Sequence, residues 1–217
     1  MLAGYSVIFA LIAAVVCHAE WRKYYIGAKV LNSLAFLAVF FASTYLSGEI
    51  MQFWLMLPAF FCCFAGDIFM AAYNRYRKRV HFLMGLGIFL AGHLCFTRWL
   101  AAMQAISVID LCLPVLAVLL TWYLVSRRDI HTGRLRPFIL LYAFFVALFF
   151  VKGQHLAITN PSVSNIMIAV GSTLFLISDI SILFVYFRKN KSTYANLFNL
   201  ATYYYGMFLL ASQLLFL

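Results

Sequence analysis

The sequence predicts an all-α, polytopic membrane bundle of about eight transmembrane helices, and three observations carry that prediction. Apolar residues make up 66% of the 217 residues and charged residues only 10%, more apolar surface than a soluble domain of this size can hide. The apolar residues run continuously for about twenty positions at a time, the length that crosses a bilayer as a helix, without the alternation of a barrel strand. The basic residues gather in short clusters between alternate runs. The whole chain, 1–217, reads as a single integral membrane domain.

Eight spans follow in order. The first, 2–18, has no basic region before it, and Arg22 and Lys23 come after. That pattern suits a retained helix better than a cleaved leader. The second, 26–46, begins with Lys29 just inside one end, positioned to snorkel to the interface or to meet a lipid phosphate. The third, 51–72, holds Asp67 and closes on Arg75, Arg77, Lys78 and Arg79. The fourth, 81–101, contains Gly85, Gly87 and Gly92, small residues that favour close helix packing. It also contains His93, the one histidine of five that lies deep in a run. The fifth, 107–125, precedes Arg127, Arg128, Arg134 and Arg136; the sixth spans 137–156. Arg98 and Lys152 intrude near the ends of the fourth and sixth spans, where a long basic side chain can snorkel outward. The seventh, 163–187, holds Asp179 and precedes Arg188, Lys189 and Lys191; the eighth, 194–216, carries Thr202-Tyr203-Tyr204-Tyr205-Gly206.

The clusters after spans one, three, five and seven are cytoplasmic by the positive-inside rule, which sends both termini to the far side. The formal charge of +10 therefore orients helices, and nucleic-acid binding is not expected. Cys17, Cys62, Cys63, Cys95 and Cys112 show no metal-ligand spacing and read as core thiols. No metal site or dinucleotide signature is evident.

Of six acidic residues, Glu20, Glu49, Asp110 and Asp129 fall in or beside polar connections, whereas Asp67 and Asp179 sit inside apolar spans. An acid at membrane depth is costly and marks a functional site by default; the competing reading is a polar pair that ties two helices together. Asp67 precedes Arg75 by eight positions and Asp179 precedes Arg188 by nine, so both lie roughly 12–13.5 Å from a basic border at the helical rise. The segments Phe64-Ala65-Gly66-Asp67-Ile68 and Leu176-Ile177-Ser178-Asp179-Ile180 echo each other four spans apart. A 4+4 parallel internal repeat is one source of such an echo. His93 is either a hydrogen-bonded packing residue or a group that orients an acid, a water or a polar head. Tyr203 and Tyr204 lie well inside the last run, where a phenol can donate to a carboxylate.

The run Gly66-Asp67-Ile68-Phe69, with Phe82, Gly85, Phe89 and His93 after it, resembles the first signature of the YhhN family of lysoplasmalogenase-like membrane proteins. Gly171-Ser172-Thr173-Leu174-Phe175-Leu176-Ile177-Ser178-Asp179, followed by Tyr203-Tyr204, is similar to the second. The resemblance spans essentially the whole chain. There are departures: Val30 follows Lys29 where the family favours proline, Phe96 stands where tyrosine is frequent, and Met207 where glutamine is common. These touch the substrate pocket more than the acids.

The resemblance implies hydrolysis of the vinyl-ether bond of lysoplasmalogens, with a lysophospholipid substrate and no cofactor. Asp67, Asp179 and His93 would be catalytic, and Lys29, Tyr203 and Tyr204 would bind substrate. Short loops favour a bacterial inner membrane, or the endoplasmic reticulum if the source is eukaryotic. Two other readings use the same acids: a proton-coupled transporter and, with less support, an intramembrane aspartyl protease.

Overall fold

The computed structural model describes residues 1–127, 130, 132–188 and 192–217. Arg128, Asp129, Lys189 and Lys191, assigned above to polar connections, lie outside the described residues. Eight α-helices appear among the described residues: α1 (Leu2–Cys17), α2 (Tyr25–Ser47), α3 (Ile50–Tyr76), α4 (Arg79–Met103), α5 (Val108–Val125), α6 (Arg136–Thr159), α7 (Val163–Tyr186) and α8 (Thr193–Ser212). They coincide with the eight expected spans. The segments containing α2 to α7 are each long and apolar enough to cross a membrane. The protein is an all-α, multi-pass bundle. Lipid cannot satisfy backbone polar groups, so each span closes its own hydrogen bonds as a helix.

Helix ends follow local chemistry. Gly48 stops α2 at φ +75, a left-handed conformation that glycine adopts without a Cβ penalty. Ser107 and Asp110 form a reciprocal capping box that opens α5. Ser162 caps α7 by accepting from the Asn165 N–H at 3.1 Å. Pro58 and Pro114 lie within α3 and α5, and both helices continue through them.

The chain divides into two compact units. One comprises Met1–Phe96 with Ala211–Leu217; the other comprises Thr97–Leu210. The core of the first is aromatic. Phe40 stacks on Phe60 at 4.3 Å and on Phe53 at 5.3 Å, while Phe96 meets Phe60 edge-on at 5.4 Å. Pairs of this kind contribute about 0.5–1.5 kcal/mol each beyond their buried area.

In the second unit, α5 turns an apolar face outward: Val108, Ile109, Leu111, Leu116, Leu119 and Leu120 are exposed. Such a face is stable against lipid and not against water. An antiparallel bridge between Ile130 and Arg188 joins the two basic connections α5–α6 and α7–α8, so these two connections share one end of the unit, as their charge predicts.

Helices α7 and α8 cross through glycine. A Cβ on Gly206 would lie 3.0 Å from the Gly171 carbonyl oxygen and 3.3 Å from Leu174 Cβ. A carbonyl in a helix ladder cannot swing aside. Gly206→Ala is therefore expected to cost about 1–3 kcal/mol through overpacking, seen as a lower thermal midpoint in detergent. Gly87→Ala is the matched control, because nothing lies within 4 Å of a Cβ there; it should be neutral or stabilising by up to about 1 kcal/mol. Equal effects of the two substitutions would contradict the crossing.

Candidate functional site

Asp67 is buried in α3, at 1% exposure, and α2 supplies its partners. Lys29 Nζ lies 3.0 Å from Oδ1 as an ion pair, and the Ser33 hydroxyl donates to Oδ2 at 2.6 Å. Lys29 and Ser33 are four residues apart, so they rise from one side of the helix. The Ser33 hydroxyl also lies 3.0 Å from the Lys29 carbonyl oxygen. It has one proton to give, and the shorter contact to a charged acceptor is the stronger.

An ammonium and a hydroxyl thus converge on one carboxyl group: Oδ2 accepts from Ser33, and Oδ1 faces the Lys29 charge as an ion pair. Lys29 does not snorkel outward: it is 6% exposed, and its charge is matched inside the protein. Asn32, which carried no signal in the sequence, ties α2 to α1 by donating to the Ile8 carbonyl at 3.3 Å, and it also donates to the Ala28 carbonyl of its own helix at 2.9 Å.

Helix α4 crosses α3 at the turn that carries Asp67. A Cβ on Gly66 would lie 3.0 Å from three atoms of the Phe89 ring, and one on Gly85 would lie 3.0 Å from Met70 Cγ and Sδ. The glycines of the first motif are therefore space for a neighbouring helix. His93 follows Phe89 by four residues on the same side of α4 and is fully buried.

In the other unit, Asp179 lies half-buried on α7. Its neighbour Ser178 makes a reciprocal clamp with Asn199 of α8. The Ser178 hydroxyl donates to the Asn199 carbonyl at 3.1 Å, and Asn199 Nδ2 donates to the Ser178 carbonyl at 2.7 Å and to its hydroxyl at 3.0 Å. Tyr203 and Tyr204 are both buried. Tyr203 packs edge-on against Phe175 at 5.3 Å and against Tyr204 at 4.9 Å. Phe149 extends the row from Phe175 at 6.4 Å.

One expectation is corrected here. Lys152 does not snorkel: it is fully buried and paired at 3.2 Å with Asp110, which lies beside the α4–α5 connection as expected and is itself fully buried. Lys152 Nζ also donates to the Ala105 carbonyl at 2.8 Å and to Gln104 Oε1 at 3.1 Å. Asp110 Oδ1 is 2.8 Å from His155 Nδ1, and the Ser107 N–H donates to Oδ2 at 2.8 Å.

Gln104 closes the network by donating to the Thr159 hydroxyl at 2.9 Å. Lys152, His155 and Thr159 stand on one stripe of α6, at i, i+3 and i+7. Ser107 followed by Asp110 is a cap signature legible in sequence. All three protons of Lys152 have acceptors, so the cluster serves as a clasp between α6 and the α4–α5 connection. The cysteines also depart from expectation: Cys63 alone is buried, Cys62 and Cys95 are half-buried, and Cys17 and Cys112 are exposed.

Among the described residues no group of three or more histidine, cysteine or acidic side chains has the arrangement of a metal site. No curated protein and no solved structure matches the chain. Residues 24–214 match the YhhN family, an extent that includes Lys29, Asp67, His93, Asp179, Tyr203 and Tyr204. On that match over most of its length, and with the multi-pass helical fold, the chain belongs to the YhhN family.

Proposed function

We propose that this protein hydrolyses the vinyl-ether bond of a lysoplasmalogen, releasing a fatty aldehyde and a glycerophospho-alcohol. Membership of the YhhN family is consistent with that reading, and the observation that carries it is the buried Asp67 between Lys29 and Ser33. A single-chain amphiphile suits a bundle of apolar helices, since its tail stays in hydrocarbon while its reacting bond meets a polar group.

Vinyl-ether cleavage begins with proton transfer to the alkenyl carbon remote from oxygen. That step creates an oxocarbenium-like cation at the adjacent carbon. Water adds to this carbon, and the resulting hemiacetal collapses to the aldehyde and a free glycerol hydroxyl. The chemistry requires a proton donor and an anion to stabilise the cation.

The partners of Asp67 support one division of the roles. With Lys29 and Ser33 already directed at its oxygens, Asp67 is suited to be the anion and to activate water. Asp179 is assigned the donor role. Asp110 is set aside because Lys152, His155 and the Ser107 N–H occupy its oxygens. His93 orients the attacking water, and Lys29, Tyr203 and Tyr204 contribute to substrate binding. Continuous passage of α3 and α5 through their prolines favours hydrolysis over transport, because transporter sites are typically built from broken helices.

The proton's destination gives the test. In D2O, purified protein should release an aldehyde with one deuterium on the carbon next to the carbonyl, trapped at once by borohydride reduction. Absence of aldehyde, or release of unlabelled aldehyde, would overturn the proposal.

A further inference from the structure

One arginine at the basic end of the second unit is held in place while most of its donors stay unused. Arg136 opens α6, and its guanidinium carbon lies 4.1 Å from the centre of the Trp122 ring on α5. Its Nη2 donates to the Ser126 hydroxyl oxygen at 2.6 Å, and that hydroxyl gives its own proton to the Trp122 carbonyl at 2.6 Å. An indole face and a hydroxyl thus fix the fork. A guanidinium carries five N–H protons, and among the described residues only one of them has an acceptor. Nε is enclosed without an acceptor among those residues, which leaves the tip of the fork to meet one from outside.

The surroundings of the fork suit a lipid. Trp122 and Tyr123 are exposed at the end of α5, the place of aromatic residues at headgroup depth. Behind them Leu116, Leu119 and Leu120 are exposed, and with Tyr123 they form one stripe at i, i+3, i+4 and i+7. The segment 126–136 holds four arginines against one acid, Asp129. The Ile130–Arg188 bridge brings the basic α7–α8 connection to the same end. A stripe of leucines that ends at a fixed guanidinium, under an excess of positive charge, matches a ligand with hydrocarbon tails and an anionic phosphate head.

We propose that Arg136, seated on Trp122 and Ser126, binds the phosphate of an anionic phospholipid whose acyl chains lie along α5. Two phosphate oxygens accept from the fork in its own plane, a geometry that an ammonium does not offer. The surrounding positive charge selects an anionic headgroup over a zwitterionic one. This site does not depend on the proposed hydrolysis, whose ethanolamine and choline substrates carry zwitterionic heads.

The test photolabels the full chain in phosphatidylcholine nanodiscs with a phosphatidylglycerol that carries a diazirine on its headgroup, followed by peptide mapping. Adducts are expected to concentrate between residues 119 and 138. Unlabelled phosphatidylglycerol should compete, whereas phosphatidylethanolamine and inorganic phosphate should not. Labelling in Arg136→Gln should fall about ten-fold, the usual consequence of losing hydrogen bonds to a charged group. Arg136→Lys keeps the charge without the fork and should also fall, while Trp122→Phe keeps an aromatic face and should stay near wild type.

Adducts spread evenly over the basic connections would overturn the proposal, as would equal competition by phosphatidylethanolamine. Displacement by inorganic phosphate would show a site for the free ion instead. Wild-type labelling in a folded Arg136→Gln would remove Arg136 from the site. The mapping and competition use only the wild-type chain, so they decide the matter even where a variant folds poorly.

Discussion

Asp67→Asn is expected to lower aldehyde release by at least about 100-fold, within the range for loss of a positioned acid–base group, while the helices stay folded. Asparagine keeps the volume of aspartate and can still accept from Ser33. It cannot balance the Lys29 charge or stabilise a cation in the transition state. Some loss of stability accompanies the change, because Lys29 is 6% exposed and would be left without its counter-ion. Lys29→Met in the same chain should restore that stability by removing the unmatched charge. It should not restore turnover. Recovery of turnover in the double variant would mean that Asp67 serves only to hold Lys29, and would remove it from the chemistry.

Lys152→Met is expected to have the largest effect on stability, about 3–5 kcal/mol, the usual cost of stranding one partner of a buried ion pair. Its Nζ meets Asp110, Gln104 and Ala105 together, and all three contacts are lost at once, leaving Asp110 with the Ser107 N–H and His155 but no buried counter-charge. Adding Asp110→Leu removes the stranded carboxylate, and the double variant should regain part of the loss, since apolar pairs often replace buried ion pairs well. His155→Ala should cost less, because His155 is partly exposed and touches one oxygen of Asp110. Unfolding midpoints in a mild-to-denaturing detergent titration measure all three. A loss below 1 kcal/mol for Lys152→Met, well under the quoted range, would contradict the clasp.

The eight helices were legible in sequence because a bilayer leaves the backbone few options and hydropathy marks where they apply. Asp67 was legible for a related reason: a carboxylate in an apolar run has few uses. Its surroundings were less so. Ser33 looks like any small residue on an apolar helix until α3 places Asp67 opposite it, 34 positions away in the chain.

Asp110 and Lys152 escaped because each lies close to a span end, where polar residues are cheap and need no partner. What makes them a cluster is a pairing across 42 residues that one-dimensional hydropathy does not carry. Asp67 and Asp179 looked alike in sequence. The structure distinguishes their surroundings, with Asp67 buried beside an ammonium and Asp179 half-buried on α7 beside the Ser178–Asn199 clamp.

The most direct measurement is parallel quantification of fatty aldehyde and glycerophospho-alcohol released from ethanolamine and choline lysoplasmalogens by purified wild type, Asp67→Asn and Asp179→Asn. The expected result is equimolar release of the two products by wild type and its loss in both variants, each with an unchanged helical spectrum. Intact substrate after incubation with folded wild type, or turnover retained in both single variants, would contradict hydrolysis by these two carboxylates.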